Sequence, residues 1–139
     1  MDHAATMRRA YDLFNAHDVD TFGELLAEDF AEHEETPGLA PTKEGVKQFF
    51  TMFMAGFSDL HWEVEDILVD GDKVVGRVTV TGTHDSEFMG MPPTGKSFRV
   101  QGIDIVRFGD DGLGHEHWGV FDAMGMMQQL GAVPEAGPA

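Results

Sequence analysis

Apolar residues recur at helical spacing along the first third of the chain. Met7, Ala10, Tyr11 and Phe14 stand at i, i+3, i+4 and i+7, which predicts one helix over residues 5–16. Phe22, Leu25 and Leu26 predict a second, short helix over 19–28, with Asp18 or Asp20 placed to cap it. "EHEETPGLAP" breaks the pattern and reads as a strand end followed by a loop. Over 43–57, Val46, Phe49, Phe50, Phe53, Met54 and Phe57 form the clearest stripe, with Thr42 positioned as the N-cap.

The period then changes to two. "HWEVEDILV" reaches a "DGDK" turn and returns as "VVGRVTVTGTH", a hairpin by its turn chemistry. "EFMGMPPTGK" reads as a loop, "SFRVQGIDIVRF" as a strand, "GDDGLG" as its turn and "HEHWGVF" as the returning strand. A short helix around "MGMMQQL" and a Gly/Pro/Ala tail complete one domain over 1–139, with a core over about 5–131 and a tail over 132–139. Helices first and antiparallel strands afterwards predict an α+β domain with helices packed on one face of a sheet. If the sheet curves, the helices leave a cone-shaped apolar cavity on its concave side, a common place for a small-molecule site.

Charge narrows the partners. Nine basic residues against 25 acidic ones give a formal charge of −16, a surface that repels nucleic acid and anionic membranes. The absence of cysteine removes disulfides, thiol nucleophiles and thiolate metal sites. The N-terminus is polar and helical rather than a signal-peptide pattern, and the apolar-rich stretch 49–57 is too short to span a bilayer. A cytoplasmic protein is the expectation.

The candidate chemistry gathers near the end of the chain. Asp122 follows Trp118, Val120 and Phe121 and precedes Ala123 and Met124. A carboxylate in apolar surroundings becomes a usable acid or base near neutral pH. The same residue could equally cap the last helix. Alternation puts Glu116, Trp118, Val120 and Asp122 on one side, and His115, His117, Gly119 and Phe121 on the other. If Asp122 faces the cavity, His117 does so only through a bulge or a register slip, for which Gly112 and Gly114 in the turn offer an opportunity. His115 and His117 could also form a metal pair, but nothing in the spacing supplies further ligands, so no metal is expected. His33, among three glutamates, is a candidate donor to a developing oxyanion or a surface histidine. Gln101 could orient a carbonyl or lie on the surface, and Asp104, on the opposite side of the same strand, could reach the cavity.

"YDLFNAHDVDTFGELLAEDFAEHE", "TGTHDSEFMGMPPTGK" and "GIDIVRFGDDG" followed by "HEHWGVFDAMGMMQQLG" together resemble the SnoaL-like polyketide cyclase (ester cyclase) family of the nuclear-transport-factor-2-like superfamily over residues 5–131. The resemblance implies an α+β cone and an acid/base intramolecular aldol cyclisation, with no metal or organic cofactor. It implies Asp122 as the acid/base, His33 as the donor, and Phe14, Phe50, Phe53 and Trp118 as walls, with His117 kept as a further site residue and Gln101 as a substrate contact. The expected partner is a small apolar carbonyl-bearing substrate, with neither nucleic acid nor membrane, in a homodimer or higher homo-oligomer. Other readings are an epoxide hydrolase or isomerase on the same fold, and a non-catalytic binding or dimerisation module. Arg99 and Arg107, on the opposite parity to Asp104, count against epoxide opening.

Overall fold

The computed structural model describes residues 2–133; the tail expected at 132–139 therefore lies largely outside the described residues. The elements are α1 (His3–Asn15), α2 (Val19–Gly23), β1 (Leu26–Glu32), α3 (Lys43–Gly56), β2 (His61–Asp70), β3 (Lys73–Thr83), β4 (Ser97–Phe108), β5 (Gly114–Phe121) and α4 (Ala123–Gln129). The caps follow the side-chain chemistry. Asp2, Asp18, Thr42 and Asp122 each accept a hydrogen bond from a backbone N–H three residues on.

The five strands form one curved, unclosed sheet in the order β1-β5-β4-β3-β2. All neighbours are antiparallel except β1, which runs parallel to β5. The Asp70–Lys73 turn is made by Gly71 at φ 62, a left-handed conformation that glycine adopts without steric cost. One helix expectation is corrected. The apolar run around Leu25 is not helical to residue 28: α2 stops at Gly23, and Leu26–Glu32 is strand. Phe22, Leu26 and Phe30 are buried and stand four apart, a spacing that fits one face of a helix or of a strand, so the local pattern does not separate the two. Pairing with β5 decides the matter.

The helices cover the concave face. Tyr11 and Phe14 from α1, Phe53 from α3 and Phe57 just past its end pack against Trp62, Val78, Val80, Phe98 and Val100 of the sheet. Met126 and Leu130 close one end. Among the described residues, no helix is long and apolar enough to cross a membrane.

Candidate functional site

The helices leave a cavity of about 510 Å³ inside the cone. Its apolar wall includes Phe14, Phe50, Phe53, Trp62 and Phe121. Phe14 stacks on Phe50 with centroids 4.3 Å apart and packs on Trp62 at 5.0 Å. Phe14, Phe50 and Phe53 thus all line the cavity.

One end of the cavity is polar, and β4 explains why. Phe98, Val100, Gly102, Asp104, Val106 and Phe108 alternate onto the inner face, so a carboxylate interrupts an apolar row. Tyr11, reaching down from α1, donates from Oη to Asp104 Oδ2 at 2.7 Å. His117 on β5 lies 2.8 Å from Asp104 Oδ1 through Nε2 and 2.5 Å from Glu32 Oε1 through Nδ1. Glu32 is the register partner of His117 across the parallel β1–β5 pair. Just past β1, Glu34 lines the same cavity, and its carboxylate has no hydrogen-bond partner among the described residues.

These contacts set the protonation of the group. Burial alone would lower the His117 pKa, but its hydrogen bonds to Asp104 and Glu32 outweigh that and raise it to about 10. His117 is therefore an imidazolium at neutral pH, held between two carboxylates. Burial pushes the Glu34 carboxyl up to about 7, with Asp104 and Glu32 adding to the rise and the His117 charge opposing it. Burial, reinforced by the adjacent Asp104, drives the Tyr11 phenol well above its ordinary range. Tyr11 is thus a fixed donor, whereas Glu34 exchanges its proton where most enzymes work.

Ligand atoms of Glu34, Asp104 and His117 all lie within 4.8 Å of one another, a grouping that could also hold a cation. Both His117 nitrogens are already engaged by carboxylates, so a metal would have to displace the proton that links them. His115 does not join this group. It pairs with Asp111 and Asp29, so the two imidazoles of "HEH" serve separate contacts.

Four of the residues expected at the site lie elsewhere. The β4–β5 register pairs Asp104 with Gly119 and Ile105 with Trp118, so His117 meets the cavity and Trp118 turns to the outer face. There Trp118 stacks on His33 at 4.9 Å, and His33 bonds Glu116 at 2.8 Å. Glu116 also accepts from Arg107, and Arg107 and His33 hold its carboxyl below the usual range. Asp122 is exposed, does not line the cavity and caps α4 through Gly125 N–H at 2.8 Å. Gln101 sits with Asp122 and Arg99 in a shallow polar depression outside the cone. Conversely, Tyr11, Glu32 and Glu34 were not expected at the site. Asp104 carried a signal, being the one charge in an apolar alternation; Glu32 and Glu34 share a parity that His33 does not.

A family model described as SnoaL-like polyketide cyclase matches residues 4–130. The chain is similar in structure to IdmH of Streptomyces antibioticus, a candidate polyketide cyclase, with 35% identity, a TM-score of 0.81, and coverage of 94% of this chain and 99% of that one. A candidate polyketide cyclase of Bacillus cereus is 30% identical, with a TM-score of 0.79 and coverage of 92% and 79%. AclR of Streptomyces galilaeus, a candidate hydroxylase, is 26% identical, with a TM-score of 0.86 and coverage of 98% and 85%. No curated protein matches the sequence significantly.

Proposed function

The chain belongs to the SnoaL-like polyketide cyclase family, and from that premise we propose that it catalyses an acid/base aldol cyclisation of an uncharged, apolar molecule bearing several carbonyl groups. The observation that carries the reading is the Glu34–Asp104–His117 cluster at the end of an aromatic cavity. The cavity lining holds four carboxylates, from Glu32, Glu34, Glu35 and Asp104, and among the described residues no Lys or Arg. An anionic ligand would meet like charge that the single His117 imidazolium only partly offsets, in a poorly solvated space. An uncharged one meets aromatic walls.

In the proposed reaction the Glu34 carboxylate removes a proton from a carbon flanked by two carbonyls. The enolate oxygen shares the His117 Nε2–H with Asp104, and the imidazolium charge offsets the charge that develops. The enolate carbon then forms a bond to a second carbonyl carbon of the same molecule, held near by the Phe14–Phe50–Trp62 wall. Protonated Glu34 returns its proton to the new alkoxide. The step is an isomerisation with no net change in protons, and every group that moves a proton belongs to the chain.

The test is turnover of neutral 1,3-dicarbonyl substrates, read as cyclised product and as deuterium exchange at the activated carbon. Glu34→Gln should lose about 100-fold or more in kcat, the usual range for a general base, whereas Asp122→Asn should change it less than about twofold. The rate should rise with pH through about 7 as Glu34 ionises, and fall through about 10 as His117 loses its proton. Equal rates for wild type and Glu34→Gln would remove the reading, and would favour a module that only binds. The same reading includes a homodimer that pairs through the outer face of the sheet, where Ile103 and Val120 stand exposed beside each other.

A further inference from the structure

Asp104 has an unusual pair of neighbours. Across the sheet it is flanked in register by Gly76 on β3 and Gly119 on β5. Directly opposed residues project to the same face, so the carboxylate stands on the inner face with no side chain on either flank. Neither glycine has a positive φ. The backbone therefore does not demand glycine at either place, and in a strand interior the residue weakens the sheet. Something else must use the space.

Hypothetical methyl groups show what does. A Cβ at Gly76 would lie 2.3 Å from Tyr11 Oη and 3.0 Å from Cε2 and Cζ of the same ring. A Cβ at Gly119 would lie 2.8 Å from His117 Cε1, 2.9 Å from Nε2 and 3.1 Å from Asp104 Oδ1. His117 and Asp104 are diagonal neighbours across β4 and β5, a separation that only a long side chain can span. The imidazole spans it by lying over Gly119. The phenol reaches the other carboxylate oxygen by lying over Gly76.

We infer that Gly76 and Gly119 are positioning residues, a cleared shelf on both sides of Asp104 that lets Tyr11 and His117 converge on its two oxygens. The inference deepens the acid/base reading and rests on it for its functional meaning, though its geometry stands apart. The shelf holds the imidazolium against Asp104 of β4 with Glu32 of β1 behind it, while Glu34 faces the same ring from the end of β1. Tyr11 is the facing group from α1. Filling either half of the shelf detaches one donor from Asp104 and leaves the other in place.

The experiment uses Gly119→Ala and Gly76→Ala in the full chain, with Gly82→Ala as a control. Gly82 also lies on the inner face of β3, but the nearest atoms to a Cβ there belong to Phe98, Leu60 and Phe57. In Gly119→Ala, NMR of labelled imidazoles should show His117 titrating below about 10, because the Asp104 bond is lost and Glu32 alone is left to oppose burial. Gly82→Ala should leave that titration unchanged whatever it does to stability. The chain has one tyrosine, so the Tyr11 Cζ resonance reports the other half without ambiguity. It should shift in Gly76→Ala and hold in Gly119→Ala. Should Gly119→Ala fold poorly, a cycle with His117→Ala decides: Gly119→Ala should cost much less stability in a His117→Ala background than in the wild type, because the clash is with that ring. An unchanged His117 titration in a folded Gly119→Ala would overturn the inference, as would an equal cost of Gly119→Ala with and without the His117 ring. None of these readouts needs turnover. If they hold and no cyclisation is found, the shelf stands and the proposed reaction falls.

Discussion

Two ionisable side chains in the cavity each make the fold less stable as pH rises, over different windows, and only one of them favours the fold in its charged form. His117 is raised to about 10 from an ordinary 6.5. Its protonation therefore favours the fold fully below 6.5, and that contribution is lost as pH rises through about 10. Glu34 is raised from 4.5 to about 7, because the fold prefers its neutral form. Ionising it costs stability that grows from pH 4.5 to about 7 and stays constant above. Replacing Glu34 by Gln should thus leave urea unfolding near pH 4 almost unchanged and stabilise the protein at pH 8. The gain should be of order 1 kcal/mol once solvent screening of this half-buried group is allowed for. Equal urea midpoints at both pH values would mean that the carboxyl is better solvated than its position implies. A stabilised but inactive variant is the expected signature of a group kept for chemistry. Asp122 should behave in the opposite way. Asp122→Ala, which removes the cap on Gly125 N–H, should lower stability by about 1 kcal/mol while the rate stays put.

At the level of elements, α1 does more than roof the cavity: it finishes the edge of the sheet. β2 is an outer strand, and Asn15 at the end of α1 receives the Trp62 N–H on Oδ1 at 2.7 Å and donates from Nδ2 to Trp62 O at 2.9 Å. One side-chain amide thus stands in for a missing ladder partner. His17 Nε2 adds a contact of 2.9 Å to Leu60 O. Asn15→Ala should leave both Trp62 groups unpaired and cost about 1–3 kcal/mol, with faster amide exchange at Trp62 than at residues of β4. Exchange unchanged at Trp62 would show that water replaces the amide at no cost. Elements built from local periodicity were legible: the stripe ending at Phe57 and the hairpin around Gly71 are where the pattern put them. β1 was not, because its partner is β5, and the Glu32–His117 contact joins residues 85 positions apart. The site divided along the same line. Asp104 is visible as a break in an apolar alternation, and Phe14, Phe50 and Phe53 as part of two stripes. Which of His117 and Trp118 faces inward depends on the β4–β5 register, which no residue in either strand announces alone. Taking Asp122 as the inward residue carried Trp118 with it onto the wrong face.

For the whole molecule, charge decides where two copies could meet. A net −16 chain repels itself over most of its surface. Lys73, Arg77, Arg99 and Arg107, four of the nine bases, alternate onto the outer face of β3 and β4. Lys73 lies over the Trp118 ring at 5.4 Å, and the exposed Ile103 and Val120, 43% and 70% accessible, stand in the same region. This face joins apolar area to the bases that offset the surrounding acid, so the proposed homodimer should form there. Light scattering after gel filtration should give twice the chain mass. Since the remaining repulsion is screened by salt, raising ionic strength from about 0.01 to about 0.15 M, which shortens the screening length from about 30 to about 8 Å, should strengthen association. Val120→Glu adds a charge to the centre of the patch and touches neither Asp104 nor His117, so it should yield a monomer with His117 still protonated at neutral pH. A dimer that persists in Val120→Glu would place the contact elsewhere. A chain that is monomeric at every salt concentration would mean that the apolar patch, with Ile103 and Val120 at its centre, does not outweigh the repulsion.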